Sequence, residues 1–314
     1  MSPSLAQSLK QVVAKAALAA DTFSGTGQKE AGDQAAVDAM RKAFEPLDMD
    51  AIVRVGEGEK DEAPMLYAGE KLGTGKGIKL DLAVDPVEGT SLMAAGKPNA
   101  IAVLAASEQD AFWDAGSAYY MNKIVVGAKA KGSIDIKKST AENLTSIAHT
   151  LNKKCSDLIV FVLDKPRHAT LRQEIEATGA QVDLHAEGDV IGSLLALLPD
   201  SPVDALMGIG GAPEAVITAA AVKALDGDMQ GQLTPQLPIE KEALKQEGKD
   251  LSKVLLLDDL VKSDWAIFAA AGVTSGLLLE APKTANEKSV VDTLIIGPQS
   301  GQIEFIQEEI SDQP

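Results

Sequence analysis

DLIVFVLDKPRHATLRQEIEATGAQVDLHAEGDVIGSLLALLP, residues 157–199, decides the fold class. An apolar run, Leu158 to Leu163, reads as a buried strand entering a basic turn, and Ala169 to Gly179 as a helix closed by glycine. Gln181 to Pro199 repeats strand, turn and helix, and VDALMGIGGAPEAVITAAAVKAL (203–225) does so a third time. Strands alternating with helices predict an α/β chain with a parallel second lobe.

Working outward, 314 residues suit about two lobes at ~150 residues each. The expected division is 1–140 and 141–314, with the C-terminal strands AIFAAAGVTSGLLLE, VVDTLIIG and QIEFIQEEI free to rejoin the first lobe. Upstream, residues 4–23 carry Leu5, Leu9, Val12, Val13 and Ala16 at helical spacing, and a second helix is expected from Glu30 to Phe44. AIVRVGEGE (51–59), LDLAVD (80–85) and NAIAVLAAS (99–107) read as strands, EAPMLYAGEKLG (62–73) as a short helix and KIVVGAKAKGSIDI (123–136) as a hairpin. Residues 230–250 read as a polar surface excursion.

The net charge is −17, from 29 basic and 46 acidic residues. Such a surface repels polyanions, which argues against nucleic acid, and an anionic substrate would need a local cation to offset the field. No apolar run reaches membrane-spanning length, and the N-terminus carries Lys10 and Lys15 within its apolar stretch, as an amphipathic helix does and a signal peptide does not. Cys155 is the sole cysteine, so no intrachain disulfide forms and a cytoplasmic location is expected.

Carboxylates recur where strands end. Glu57 lies between Gly56 and Gly58, Asp85 and Glu88 lie in DPVEGT (85–90), and Asp33 lies near a helix start. Each alone is an ordinary turn or capping residue. Together, they point to a site for a hard divalent cation, Mg²⁺ or Mn²⁺, and nothing in the sequence offers the Cys/His cluster of zinc. Thr90 offers a hydroxyl to a water attacking phosphorus, and Asp61 is either a group that takes that water's proton or a solvated helix cap. In the second lobe, Lys165, Arg167 and His168 follow a buried strand, at the end of a sheet where ligands bind; Arg167 and Lys165 suit a phosphate or form a solvated basic loop, and His168 reads as a helix-start residue. AEGD (186–189) suits sugar hydroxyls or a helix cap. In GIGGAPEAV (208–216), Gly210 and Gly211 free backbone amides, and Glu214 is either a further metal ligand or a complement to the helix dipole.

GEGEKDEAPMLYAGEKLGTG (56–75), DLAVDPVEGTSLMAAG (81–96), KPRH (165–168) and GIGGAPEAV followed by KALDGDMQG (223–231) closely resemble the class II fructose-1,6-bisphosphatases, over about Ala16 to Leu279. DPVEGT also resembles the signature of the wider metal-dependent, lithium-sensitive sugar and inositol phosphatases. The resemblance implies the layered αβαβα sugar-phosphatase fold and two or more Mn²⁺ or Mg²⁺ ions held by Asp33, Glu57, Asp85, Glu88 and Glu214. It implies substrate contacts at Glu88, Gly89, Thr90, Tyr120, Lys165, Pro166, Arg167, Glu187, Gly188, Asp189 and Gly211, and places Lys29, Asp61 and Thr90 near the reaction. Gln28 and Glu187 depart from the family pattern, which expects an acid and an aspartate there. The implied activity is hydrolysis of the 1-phosphate of fructose 1,6-bisphosphate, in gluconeogenesis, by a homo-oligomer, dimer or tetramer. The alternatives are a sedoheptulose 1,7-bisphosphatase, a less specific sugar or inositol phosphatase, and a non-catalytic sugar-phosphate sensor.

Overall fold

The computed structural model describes residues 3–56, 66–286, 288–297 and 301–311. In chain order, the elements begin with α1 (Pro3–Asp21), α2 (Lys29–Phe44), β1 (Met49–Val55), β2 (Lys71–Leu72), β3 (Ile78–Glu88), α3 (Thr90–Ala94) and β4 (Ile101–Glu108). There follow β5 (Tyr120–Val126), α4 (Thr140–Thr150), β6 (Ile159–Leu163), α5 (Ala169–Ala177), β7 (Gln181–His185), α6 (Asp189–Leu197), β8 (Ala205–Gly211) and α7 (Ala212–Ala224). The chain continues through β9 (Asp228–Leu233), α8 (Pro238–Gln246), β10 (Leu255–Leu256) and α9 (Leu257–Leu260). It closes with β11 (Ile267–Gly272), β12 (Lys283–Ala285), β13 (Lys288–Ile296) and β14 (Ile303–Ser311). Two compact units result, residues 1–112 with 263–314, and residues 113–262. The class is α/β, as expected. The units divide at residues 112 and 262, not at 140, because β5 hydrogen-bonds to β8 and β9 and β11 to β4.

The first unit is built on an eight-stranded mixed sheet in the order β12, β13, β11, β4, β3, β1, β2, with β14 also on β13. Its middle strands read LDLAV, IAVLAAS and IFAAAG and are buried on both faces, which is why they are continuous apolar runs and not alternating ones. The alanines of β11 and β4 leave room for α1 to lie close, and Leu9, Val12, Val13 and Ala16 of that helix are fully or almost fully buried. Lys10 on the same helix is buried too, paired with Glu308 of β14 at 2.6 Å. The helix expected over 62–73 does not form where the chain is described: Leu66 to Glu70 is a turn leading to β2, and Gly69 N donates to Val53 O at 2.7 Å.

The second unit has a six-stranded sheet in the order β10, β9, β5, β8, β6, β7. The three repeats of strand and helix supply the parallel set β7, β6 and β8. The other strands run antiparallel, so the lobe is mixed and not wholly parallel. Two expectations change for one reason. Residues 228–233 alternate buried and half-buried positions and form β9, paired with β5 on one side and the short β10 on the other, although Asp228, Gln230 and Gln232 are polar. Gln230 of that strand donates to Ile134 O at 3.0 Å and accepts from Ile136 N at 2.9 Å. The segment after β5 therefore binds a side chain in place of a second strand, and residues 123–136 are not a hairpin.

Candidate active site

In the first unit, the site begins with a fault in β3. Asp85 stands opposite Val103 of β4, but Glu88 stands opposite Ile101. Three steps on β3 thus match two on β4, which is a β-bulge. In a regular strand, residues three apart point to opposite faces. The extra residue turns Glu88 onto the face of Asp85, and carboxylate oxygens of the two lie within 4.8 Å of each other. Pro86, which has no N–H to lose from the ladder, sits inside the bulge, and Asp85 Oδ1 accepts from Val87 N at 3.0 Å. DPVE is therefore bulged strand, not the expected turn. The turn comes at Gly89, whose φ of 86° is left-handed and whose position starts α3 at Thr90.

Both carboxylates are buried, as is Asp33 on α2, one turn beyond the exposed Lys29. Two buried carboxylates this close repel unless a cation or a proton lies between them. Their donors are hard oxygens only, so the acidic cluster fits a divalent cation. Asp81, four residues earlier on β3, shows the other solution: it is fully buried and takes Arg54 Nε at 2.8 Å and Phe112 N at 3.3 Å. Glu57 and Asp61 lie outside the described residues.

In the second unit, residues 166–168 form a single 3₁₀ turn at the end of β6. The Arg167 guanidinium donates through Nε and one terminal nitrogen to Ile209 O, at 3.0 and 2.9 Å, and lies 5.2 Å from the centroid of the Tyr120 ring. Those two contacts fix its plane. Lys165, beside it, is half-buried. His168 is structural. Its Nδ1 bonds Leu163 O at 2.7 Å and its Nε2 accepts from Ile209 N at 2.8 Å, so the ring is neutral with the proton on Nδ1 and ties β6 to β8. Burial, the largest cause, holds its pKa below the ordinary histidine value. The unfolded chain therefore takes up a proton near pH 6.5 that the fold refuses, and stability falls as pH drops below that value. Urea unfolding between pH 7 and 5 is expected to show it, with the slope lessened in His168→Gln by at most about 1.4 kcal/mol per pH unit. An unchanged slope would contradict the neutral ring.

Gly188, with φ 104°, caps α6, and Glu187 is half-buried before it. The Asp189 carboxylate is turned inward. Its Oδ2 is paired with the fully buried Lys123 and accepts from Gly211 N at 3.2 Å, while Lys123 Nζ donates to Gly211 O at 3.1 Å. A Cβ on Gly210 would lie 2.0 Å from that Oδ2, so the close approach requires glycine. This triangle anchors the start of α7, where Glu214 occupies the first turn. Glu214 Oε2 is buried without a hydrogen-bond partner among the described residues. Burial first, then the Asp189 charge, push its pKa above the ordinary carboxylate range, and Lys123 pulls it back. Lys123 escaped the sequence reading because nothing in YMNKIVV distinguishes a buried lysine from a strand-edge one.

The structure thus brings together Asp85 with Glu88, Arg167 with Tyr120, and Asp189 with Gly211. No helix among the described residues is long and apolar enough to cross a membrane. A family model described as bacterial fructose-1,6-bisphosphatase, glpX-encoded, matches residues 3–310. The fructose-1,6-bisphosphatase 1 class 2 of Escherichia coli K12 is 43% identical over 316 aligned residues, which cover 96% of this chain and 94% of that protein. The class 2 fructose-1,6-bisphosphatases of Escherichia coli O6:H1 and Shigella flexneri match at the same identity and coverage. A match over nearly the whole length, with the acidic bulge and the basic turn inside it, shows that the chain belongs to the bacterial class 2 fructose-1,6-bisphosphatases.

Proposed function

We propose that this protein hydrolyses the 1-phosphate of fructose 1,6-bisphosphate to give fructose 6-phosphate and phosphate. The bulge that aligns Asp85 with Glu88 carries the reading, together with the family. The relatives are named for the fructose substrate, which favours it over a seven-carbon sugar or an inositol phosphate.

The ligands for Mg²⁺ or Mn²⁺ are Asp33, Glu57, Asp85, Glu88 and Glu214. When bound, such ions neutralise the reacting phosphate and supply Lewis-acid polarisation. Thr90, half-buried at the start of α3, orients the attacking water, and Asp61 accepts its proton; as the water oxygen bonds to phosphorus, the bond from phosphorus to the sugar oxygen breaks and that oxygen takes a proton from solvent. Lys29 steadies charge near the reacting phosphate. Lys165, Pro166 and Arg167, with Tyr120, hold the 6-phosphate, so that binding energy distant from the reaction orients the 1-phosphate. Glu187 and the backbone of Gly188, Gly89 and Gly211 hold the sugar. Asp189 contributes by holding Gly211 in place. The protein acts as a homo-oligomer in the cytoplasm.

Phosphate release from the purified protein with fructose 1,6-bisphosphate tests the reading. Turnover is expected with added Mn²⁺ or Mg²⁺, and its loss with excess chelator should be restored by fresh metal. Equal release with and without chelator would exclude the metal ligand assignment.

A further inference from the structure

Residues 230–250 look like surface chain, yet their helix carries a buried carboxylate. Glu240, in the first turn of α8, is 1% exposed. Its Oε1 accepts from both Tyr119 N and Tyr120 N at 2.8 Å, and its Oε2 accepts from Gln236 N at 2.9 Å. A charge is costly to bury, and three backbone donors are what make this burial tolerable. Two turns further along, Glu247 accepts from Ser117 N at 3.1 Å and from Ser117 Oγ at 2.5 Å. Lys249 then donates to Asp114 O at 2.7 Å and lies 5.0 Å from the Trp113 ring centroid. The end of the clamp that is most buried grips the residue whose ring underlies Arg167.

We propose that Glu240 is a positioning residue for the distal phosphate: α8 clamps the 113–120 segment so that Tyr120 sets the plane of the Arg167 guanidinium. The inference rests on the assignment of Tyr120 and Arg167 to the 6-phosphate. Glu240 touches no substrate, so its influence passes wholly through the Tyr119–Tyr120 backbone. Replacing it should loosen recognition of the group at the distal end while sparing the chemistry.

Glu240→Gln keeps the shape of the side chain but replaces an acceptor by a donor facing backbone N–H groups. KM for fructose 1,6-bisphosphate and the inhibition constant of fructose 6-phosphate are expected to rise together, by about tenfold, with kcat within about twofold. In a Tyr120→Ala background, the same change should add nothing, because the coupling runs through that ring. A fall in kcat at constant KM, or full additivity with Tyr120→Ala, would overturn the proposal. If Glu240→Gln does not fold, Glu247→Gln carries the test at the exposed end of the clamp. It should shift the same two constants in the same direction by about threefold, and no shift there would overturn the proposal. If the unaltered protein did not turn over the bisphosphate, the functional reading would fall. Calorimetric binding of fructose 6-phosphate to both variants would still decide the clamp.

Discussion

Asp85→Asn is expected to cost on the order of a thousandfold or more in kcat/KM, since a lost metal ligand removes several kcal/mol of transition-state stabilisation. The substitution separates chemistry from architecture. Asn retains an oxygen that can accept from Val87 N, the bond that Asp85 Oδ1 makes inside the bulge. The strand should therefore keep its extra residue, and Glu88 should keep its orientation. What disappears is one of two negative charges whose oxygens lie within 4.8 Å. With the repulsion relieved, the thermal midpoint without metal should hold or rise, while the increase in midpoint on adding Mn²⁺ should shrink, because ligand-linked stabilisation follows affinity. Turnover, thermal unfolding with and without metal, and circular dichroism check these outcomes together. Activity near that of the unaltered protein would remove Asp85 from the metal set. Loss of fold without metal would make Asp85 an architectural residue.

Most elements could be read from the chain because their periods were unmixed. The α1 stripe and the three strand–helix repeats left little choice. The site was legible as residue types but not as geometry. DPVEGT holds Asp85, Glu88 and Thr90, yet a regular strand would have sent the two acids to opposite faces. The inserted residue appears only once β3 and β4 are aligned, and alignment depends on residues distant in sequence. The same holds for Asp189, which looks like a sugar ligand in AEGD and instead meets Lys123, 66 residues away. β9 was hidden for a different reason. Its outward glutamines bind backbone, so the polarity that signals a solvated loop was serving as internal hydrogen bonding.

Arg167→Ala is expected to raise KM for fructose 1,6-bisphosphate by about a hundredfold, and Arg167→Lys by about tenfold, with kcat altered by no more than about threefold. The difference between the two follows from how the guanidinium is held. Nε and one terminal nitrogen spend donors on Ile209 O, and the Tyr120 ring lies 5.2 Å away. A guanidinium has five N–H donors in a rigid fork, so spending two on one edge leaves three, of which two, one on each terminal nitrogen, point outward as a parallel pair. A lysine ammonium restores the charge but cannot hold Ile209 O and present a second, parallel pair to phosphate oxygens. Charge alone should thus recover about half of the lost binding free energy, which is the tenfold step between the two variants. The carbonyl of Ile209 would keep its place in both, because His168 holds Ile209 N from the other side. An equal KM for Lys and Ala would mean that charge does nothing at this position and that orientation does all. A fall in kcat with KM unchanged would move Arg167 from the distal phosphate to the reacting one, and with it the direction in which the sugar lies across the site.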